Sequence, residues 1–255
     1  MTVLLVGEST SVELAAIAAV MISAGFLHGV FGIGFAMIAT PLLALWLDPR
    51  EAVILAAVPL WWIAVGFLGR HFRQVLTCRH LFVLPGIVLG SLLGVYLQTT
   101  LSPRASWLLL AGLLVLGAVV PTLVHRLKQY EWRPAPISTT GFGFFAGMTE
   151  SSLNVGAPLI VLYGGIHSLV RMEQLVILNL CFAIGKTVQL ALTLPNVAHL
   201  TPISYLVVAT ITAGIGYVVG LRWMGKFSEQ VFRRSLTAFL LVLAGLLTLR
   251  ACLAS

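Results

Sequence analysis

Apolar residues fill this chain in long blocks, separated by short polar or glycine-rich stretches. The blocks cover approximately residues 12–30, 34–47, 51–69, 80–100 and 104–124. After a polar stretch from His125 to Pro136, five more follow at 137–149, 154–166, 172–193, 202–223 and 229–250. Most reach the roughly 20 residues that a helix needs to cross a bilayer. Residues 34–47, 137–149 and 154–166 are shorter, at 13 to 14 residues each. Such a helix rises about 20 Å against about 30 Å of hydrocarbon, so these three are expected to reach only part way.

The blocks of the two halves resemble each other in order. Gly25-Phe-Leu-His-Gly29 followed by Thr40-Pro41-Leu42-Leu43 matches Gly143-Phe-Phe-Ala-Gly147 followed by Ala157-Pro158-Leu159-Ile160. Arg50-Glu51-Ala52-Val53 matches Arg171-Met172-Glu173-Gln174. Gly90 and Gly94, with Ser102 eight residues on, match Gly216 and Gly220, with Ser228 eight residues on. Small residues recur in all membrane helices because they let backbones approach. The ordered proline and charged matches go beyond that and point to an internal repeat. The expected organisation is a first repeat over 1–124, a cytoplasmic linker over 125–136 and a second repeat over 137–255.

Composition agrees with a lipid environment. Of 255 residues, 59% are hydrophobic and 9% charged, with a mean hydropathy of +1.04. A soluble domain carries roughly 25% charged residues, so too few charges remain to cover a water-facing surface. The net charge of +7 does not indicate nucleic acid, because the basic residues sit at the ends of apolar blocks. Cys78, Cys181 and Cys252 are scattered, which implies neither a disulfide framework nor a metal site. The N-terminus lacks a basic stretch and carries Glu8, so it does not read as a cleaved signal.

Basic residues also set an orientation. With the loop from Arg70 to Arg79 in the cytoplasm, eleven flanking Lys and Arg fall inside, and only Arg50, Arg104 and Arg250 fall outside. That is the bias expected of membrane proteins. The counterpart of this basic loop, Pro195 to Thr201, holds no Lys or Arg and falls outside. The repeats are therefore expected to be inverted, with both termini outside. The fold class expected is an all-α polytopic membrane protein of two inverted repeats, each a broken or re-entrant hairpin plus three transmembrane helices.

Inverted repeats with broken helices are a device of secondary transporters, whose sites lie where the breaks meet. The breaks here are Val30 to Gly34 and Met148 to Asn154. The helices that start near Phe35 and Val155 would aim N–H groups and positive dipole ends at the centre, which suits an anion. The glycine-rich motifs, the Pro-Leu returns, the step Asp48-Pro-Arg-Glu-Ala52 and the two-fold repeat resemble the sulfite exporter TauE/SafE family over nearly the whole chain. The resemblance implies outward transport of small sulfur-containing anions such as sulfite or organosulfonates. Its glycine-rich motif falls on Gly25, Gly29, Gly32, Gly34 and Pro41, and again on Gly143, Gly147 and Pro158. Thr149 to Ser152 departs from the glycine-rich tip usual in that family, and a carboxylate there would repel an anion.

Ionisable groups within spans are functional candidates by default. Lys186 is the sharpest, as an anion ligand or as the partner of Glu150 in a structural ion pair. Glu150 reads equally as a proton carrier or as a helix-end partner for Lys186. His28 reads as a substrate ligand, a proton shuttle or a packed histidine bonded to a helix carbonyl. Asn179, Lys186 and Gln189 share one helical face, so they line a cavity or bond between helices. Thr149, Ser151, Ser152 and Asn154 stand beside the second break, where capping alone explains some of them. With Gly29, Gly32 and Gly34 these form the expected substrate-binding set, and Glu150 and His28 the expected proton-coupling pair. Trp61-Trp62 reads as an aromatic gate or as packing.

The function expected is a secondary transporter, in the exporting direction, working by alternating access with proton linkage. The alternatives are an intramembrane enzyme, using Ser151 or Ser152 with His28, and a passive anion channel. No P-loop, nucleophile elbow or metal-ligand pair is visible, so no catalytic residue, metal or cofactor is expected. The implied partners are a small anion and the bilayer of a bacterial inner (plasma) membrane, not nucleic acid, with homo-oligomer formation left open.

Overall fold

The computed structural model describes residues 2–127, 135–193, 195 and 201–253, and the expected linker 125–136 lies largely outside them. The described residues form helices and no strand. In chain order these are α1 (Thr2–Phe31), α2 (Phe35–Leu43), α3 (Pro49–Arg70), α4 (Phe72–Leu76), α5 (Val83–Thr100) and α6 (Pro103–Leu127), then α7 (Pro136–Leu153), α8 (Ala157–Ile166), α9 (Arg171–Thr193), α10 (Ile203–Arg222) and α11 (Glu229–Leu253). Seven of the described helices, α1, α3, α5, α6, α9, α10 and α11, are long and apolar enough to cross a membrane. The chain is thus an integral, polytopic, all-α membrane protein.

Local sequence explains where the helices begin. Asp48 Oδ1 accepts from the Arg50 N–H at 2.8 Å and Pro49 opens α3, a usual combination of cap and first residue. Ser102 Oγ accepts from Ala105 N–H ahead of α6, and Ser228 Oγ from Val231 N–H ahead of α11. The two serines matched in sequence therefore do the same work. The prolines matched in sequence do not, since Pro41 lies late in α2 and Pro158 in the first turn of α8.

Glycines fix which helices touch. A Cβ at Gly25 would stand 2.3 Å from the Ala213 carbonyl oxygen, and one at Gly216 would stand 2.2 Å from that of Ile22. Helices α1 and α10 therefore run parallel with their backbones in contact. Helices α5 and α7 do the same, where a Cβ at Gly90 would stand 1.9 Å from Phe144 O and one at Gly147 2.3 Å from Ile87 O. Only glycine permits such approach, and the gain is close packing that lipid alone does not drive. Helix α6 packs on α11 in the opposite sense, with Trp107 under Arg250 at one end and Gly117 beside Leu240 further along. Helices α3 and α9 meet at the centre, where Trp61 Nε1 donates to Thr187 Oγ1 at 2.9 Å. Trp61 is thus a packing residue, while Trp62 is exposed.

The first hairpin is broken where the sequence places a break, whereas the second breaks only at the last residue of the stretch expected to break, because α7 is helical through Leu153. Gly32 (φ 77°) and Gly34 (φ 108°) turn the chain between α1 and α2, and Asn154 (φ 61°) turns it between α7 and α8. Glycine takes this left-handed region freely, and asparagine takes it at small cost. The return helices α2 and α8 then run past each other in opposite directions. Asn154 Nδ2 reaches Thr40 Oγ1 at 2.9 Å, while Met37 and Pro158 both pack around Gly117.

The two tips themselves do not meet as their sequence suggests. Gly32 sits against Leu175 and Asn154 against Lys186, eleven residues apart on α9. At 1.5 Å per residue that is about 16 Å along the helix axis. The reason is length. Helix α7 continues through Leu153 instead of ending near residue 149, and α1 continues to Phe31, so each tip overshoots the centre.

Candidate functional site

The ionic centre of the protein is built around Lys186, which is fully buried in the last third of α9. Its Nζ lies 2.8 Å from Glu150 Oε1. It also donates to the Glu150 backbone oxygen at 2.7 Å, to Gln189 Oε1 at 2.9 Å and to Asn154 Oδ1. Four oxygens thus compete for three N–H bonds, and the cation is fully enclosed by the protein's own acceptors. The spacing of Lys186 and Gln189 puts them on one face of α9, and the end of α7 presents Glu150 and Asn154 to that face.

Glu150 links this cation to the second break. Its Oε2 accepts from the Gly156 N–H at 2.9 Å, one of the unsatisfied donors at the start of α8. Its Oε1 has Lys186 as its partner and accepts no other bond. The carboxylate therefore occupies the place where a helix N-terminus and a cation would together hold an external anion. Asn154 donates to Thr40 Oγ1 and to Val53 O at 2.8 Å, which ties the same centre to α2 and α3. Gln189 Nε2 donates to Gln98 Oε1 at 2.8 Å and to Ser151 O at 2.9 Å, which ties it to α5. Thr40, which the sequence marks only as part of a repeat motif, and Gln98 also belong to the centre. Gln98 sits near the end of an apolar block and reads there as a flanking residue.

The other candidates spread out. Ser151 Oγ donates to Gly185 O at 3.1 Å and joins α7 to α9 beside the centre. Thr149 and Ser152 bond backward to carbonyls of their own helix, at Phe145 O and Thr149 O. Asn179 donates to Leu175 O within α9 at 2.8 Å, and its Oδ1 is buried without a hydrogen-bond partner. Gly29 faces the Tyr217 carbonyl and Gly220 in the α1–α10 contact, and Gly32 and Gly34 form the first break. His28 is buried there, with Nδ1 3.4 Å from the Phe35 N–H that opens α2. It thus caps a helix amide, where the sequence offered a helix carbonyl as its structural partner. Ser151 Oγ donates to Gly185 O and Ser152 Oγ to Thr149 O, while His28 Nδ1 accepts from Phe35, so these bonds do not link His28 to either serine. No group of three or more His, Cys, Asp or Glu suited to a metal occurs among the described residues.

A cavity of about 480 Å³ lies beside the α2–α8 pair. It touches Ile33 of the first break, Ala157 and Pro158 just after the second, and Arg171, Gln174 and Arg233 at the starts of α9 and α11. Both arginines are exposed, and Arg171 Nη2 lies 3.4 Å from Phe31 O. Phe31 and Phe232 stack at 3.6 Å where the cavity meets the end of α1. The walls between are mostly aliphatic, from α6, α8 and α11. Lys186 and its partners do not line this space.

Comparison with protein families matches residues 17–247 to the family described as Sulfite exporter TauE/SafE. Neither the comparison with curated proteins nor that with solved structures returned a match.

Proposed function

Because the chain belongs to the sulfite exporter TauE/SafE family, a family of membrane transporters, we propose that it is a secondary carrier that expels small sulfur-containing anions by proton-linked alternating access. The observation that carries this reading is the double use of Glu150. One carboxylate oxygen holds the Gly156 amide that caps α8 and the other holds Lys186. An anion approaching the α8 N-terminus must compete with that carboxylate. Protonating Glu150 would weaken both bonds, freeing Lys186 and the helix end together. Proton uptake and anion binding are then two faces of one exchange, as reciprocal linkage requires. Lys186, Gln189, Asn154 and Ser151 would hold the substrate, and Thr149, Ser152 and Asn179 would support the walls. His28 would set the matching break at Gly29 to Gly34.

Alternating access needs two related halves, and we read the chain as an inverted repeat. Several observations support this. Helix α1 of one half pairs with α10 of the other, and α7 pairs with α5, by the same glycine device. Helix α1 runs against α9, with His28 near Phe182 and Gly32 near Leu175, whereas α5 runs along α9, with Ser91 at Gly185 and Gln98 at Gln189, and α7 lies parallel to α5. The two hairpins thus point in opposite directions, and the basic loops favour a cytoplasmic position for the Arg70–Arg79 side. A monovalent anion leaving with one proton moves no net charge, so its own gradient must drive it. A dianion such as sulfite leaving with one proton expels one net negative charge, which gains roughly 2.3 kcal/mol per 100 mV with the inside negative.

Counterflow in proteoliposomes tests the carrier reading. Labelled sulfite or methanesulfonate should enter faster when the same unlabelled anion is loaded inside. A channel would show no such acceleration, and that result would reject a carrier.

A further inference from the structure

Sulfite has four non-hydrogen atoms and needs no more room than a few waters, each about 30 Å³ of liquid volume. The cavity beside α2 and α8 is far larger, at about 480 Å³, within the roughly 300–1,000 Å³ span of pockets that take organic molecules. Its two ends also differ in chemistry. The exposed end carries Arg171 and Arg233 from two different helices, with Gln174 one turn further in. The deeper wall is aliphatic, with Val161, Leu175, Leu236 and Leu240. Guanidinium forks match oxyanions, and they are weakly hydrated enough to work at an apolar margin. An aliphatic wall gives a bare inorganic oxyanion nothing to exchange for its lost water.

We propose that this cavity is a loading site for organic anions in which a single strong-acid headgroup is carried on an apolar body of several carbons. The headgroup sits between Arg171 and Arg233, and the body lies against the aliphatic wall. From there the headgroup is within the same cavity as Ala157 and Pro158, next to the Gly156 amide that Glu150 occupies. The site therefore selects before the ionic centre acts. This assignment rests on the carrier reading above, but it makes its own demand, since affinity must grow with the carbon body. The orientation assigned from basic residues places both arginines on the cytoplasmic side, where an exporter collects its substrate.

Calorimetry on the full chain in zwitterionic nanodiscs tests the inference with sulfite, methanesulfonate, butanesulfonate and hexanesulfonate. Burying each methylene should tighten binding by roughly fourfold over the first members of the series. Arg171→Gln with Arg233→Gln should weaken every member at least tenfold without removing the dependence on chain length. Arg171→Lys with Arg233→Lys, which keeps the charge, should recover part of the loss. Leu236→Ser should flatten the chain-length dependence. Equal affinity for sulfite and hexanesulfonate would overturn the proposal, as would wild-type binding by the double glutamine variant. Competitive loss of sulfonate binding in nanodiscs with phosphatidylglycerol would assign the cavity to anionic lipid and also overturn it. Sulfite flux in parallel liposomes separates the two levels. Counterflow without chain-length selectivity removes this site and leaves the carrier standing, whereas chain-length-dependent binding without counterflow removes the carrier.

Discussion

Lys186 and Glu150 show how a single ion pair can be both costly and organising. Each is fully buried, and each is surrounded by groups that need it. Removing one partner of such a pair leaves an uncompensated buried charge, typically at about 3–5 kcal/mol. We expect Lys186→Met to lower the melting temperature in detergent sharply, and the double variant Lys186→Met with Glu150→Gln to recover most of it. Equal melting of single and double variants would mean that the pair is not coupled. His80, in the loop before α5, gives a pH counterpart. Its Nδ1 lies 2.7 Å from the Tyr163 hydroxyl. Burial lowers its pKa from the ordinary 6.5, with Glu173 opposing and His167 adding to the shift. The folded protein thus binds this proton less readily than the unfolded chain. Stability should be full above pH 6.5 and fall as pH drops below it. His80→Gln should make melting less steep in pH over that window. At this scale the sequence is informative only within one helix. Lys186 and Gln189 are legible as neighbours on one face. Thr40 and Gln98 reach the same centre from 114 and 91 residues away, and no local spacing announces them.

At the scale of helices, contact between backbones decides the arrangement. Gly86, Gly90 and Gly94 let α5 lie directly on α7. We expect Gly90→Val to force the two helices apart and to destabilise by about 1–3 kcal/mol or more, as overpacking does. Gly66→Ala, at a position with nothing within 4 Å, should be neutral or slightly stabilising. Detergent melting of the two variants compares them directly. The same scale explains where hydropathy mislaid an element. Apolar blocks mark 137–149, yet α7 runs from Pro136 to Leu153. Its last turn is polar because Glu150 and Ser151 find partners on α9, which hydropathy does not register. The first break was legible from Gly32 and Gly34, whose positive φ only glycine takes readily. The second turns on Asn154, whose role as a left-handed residue is masked by its neighbours Ser151 and Ser152. The paired prolines take different positions, because Pro can sit both in a first helical turn and inside a membrane helix.

For the whole molecule, the seven long helices among the described residues and the family match establish a membrane protein of the transporter class. The orientation and the working cycle are proposals with separate tests. Cys252 is exposed while Cys78 and Cys181 are buried. A membrane-impermeant maleimide should therefore label Cys252 in intact cells, as a C-terminus outside requires. Labelling only after the membrane is opened would reverse the orientation and place the two arginines of the cavity outside. The central claim is that Glu150 exchanges its hold on Lys186 and the α8 amide for a proton as the anion binds. Methanesulfonate efflux from proteoliposomes measures this most directly, because a sulfonate keeps its charge and any pH dependence belongs to the protein. Wild-type flux should rise as pH falls on the binding side, and well-folded Glu150→Gln should carry methanesulfonate at a rate independent of pH. A Glu150→Gln protein that keeps the wild-type pH profile would contradict the account.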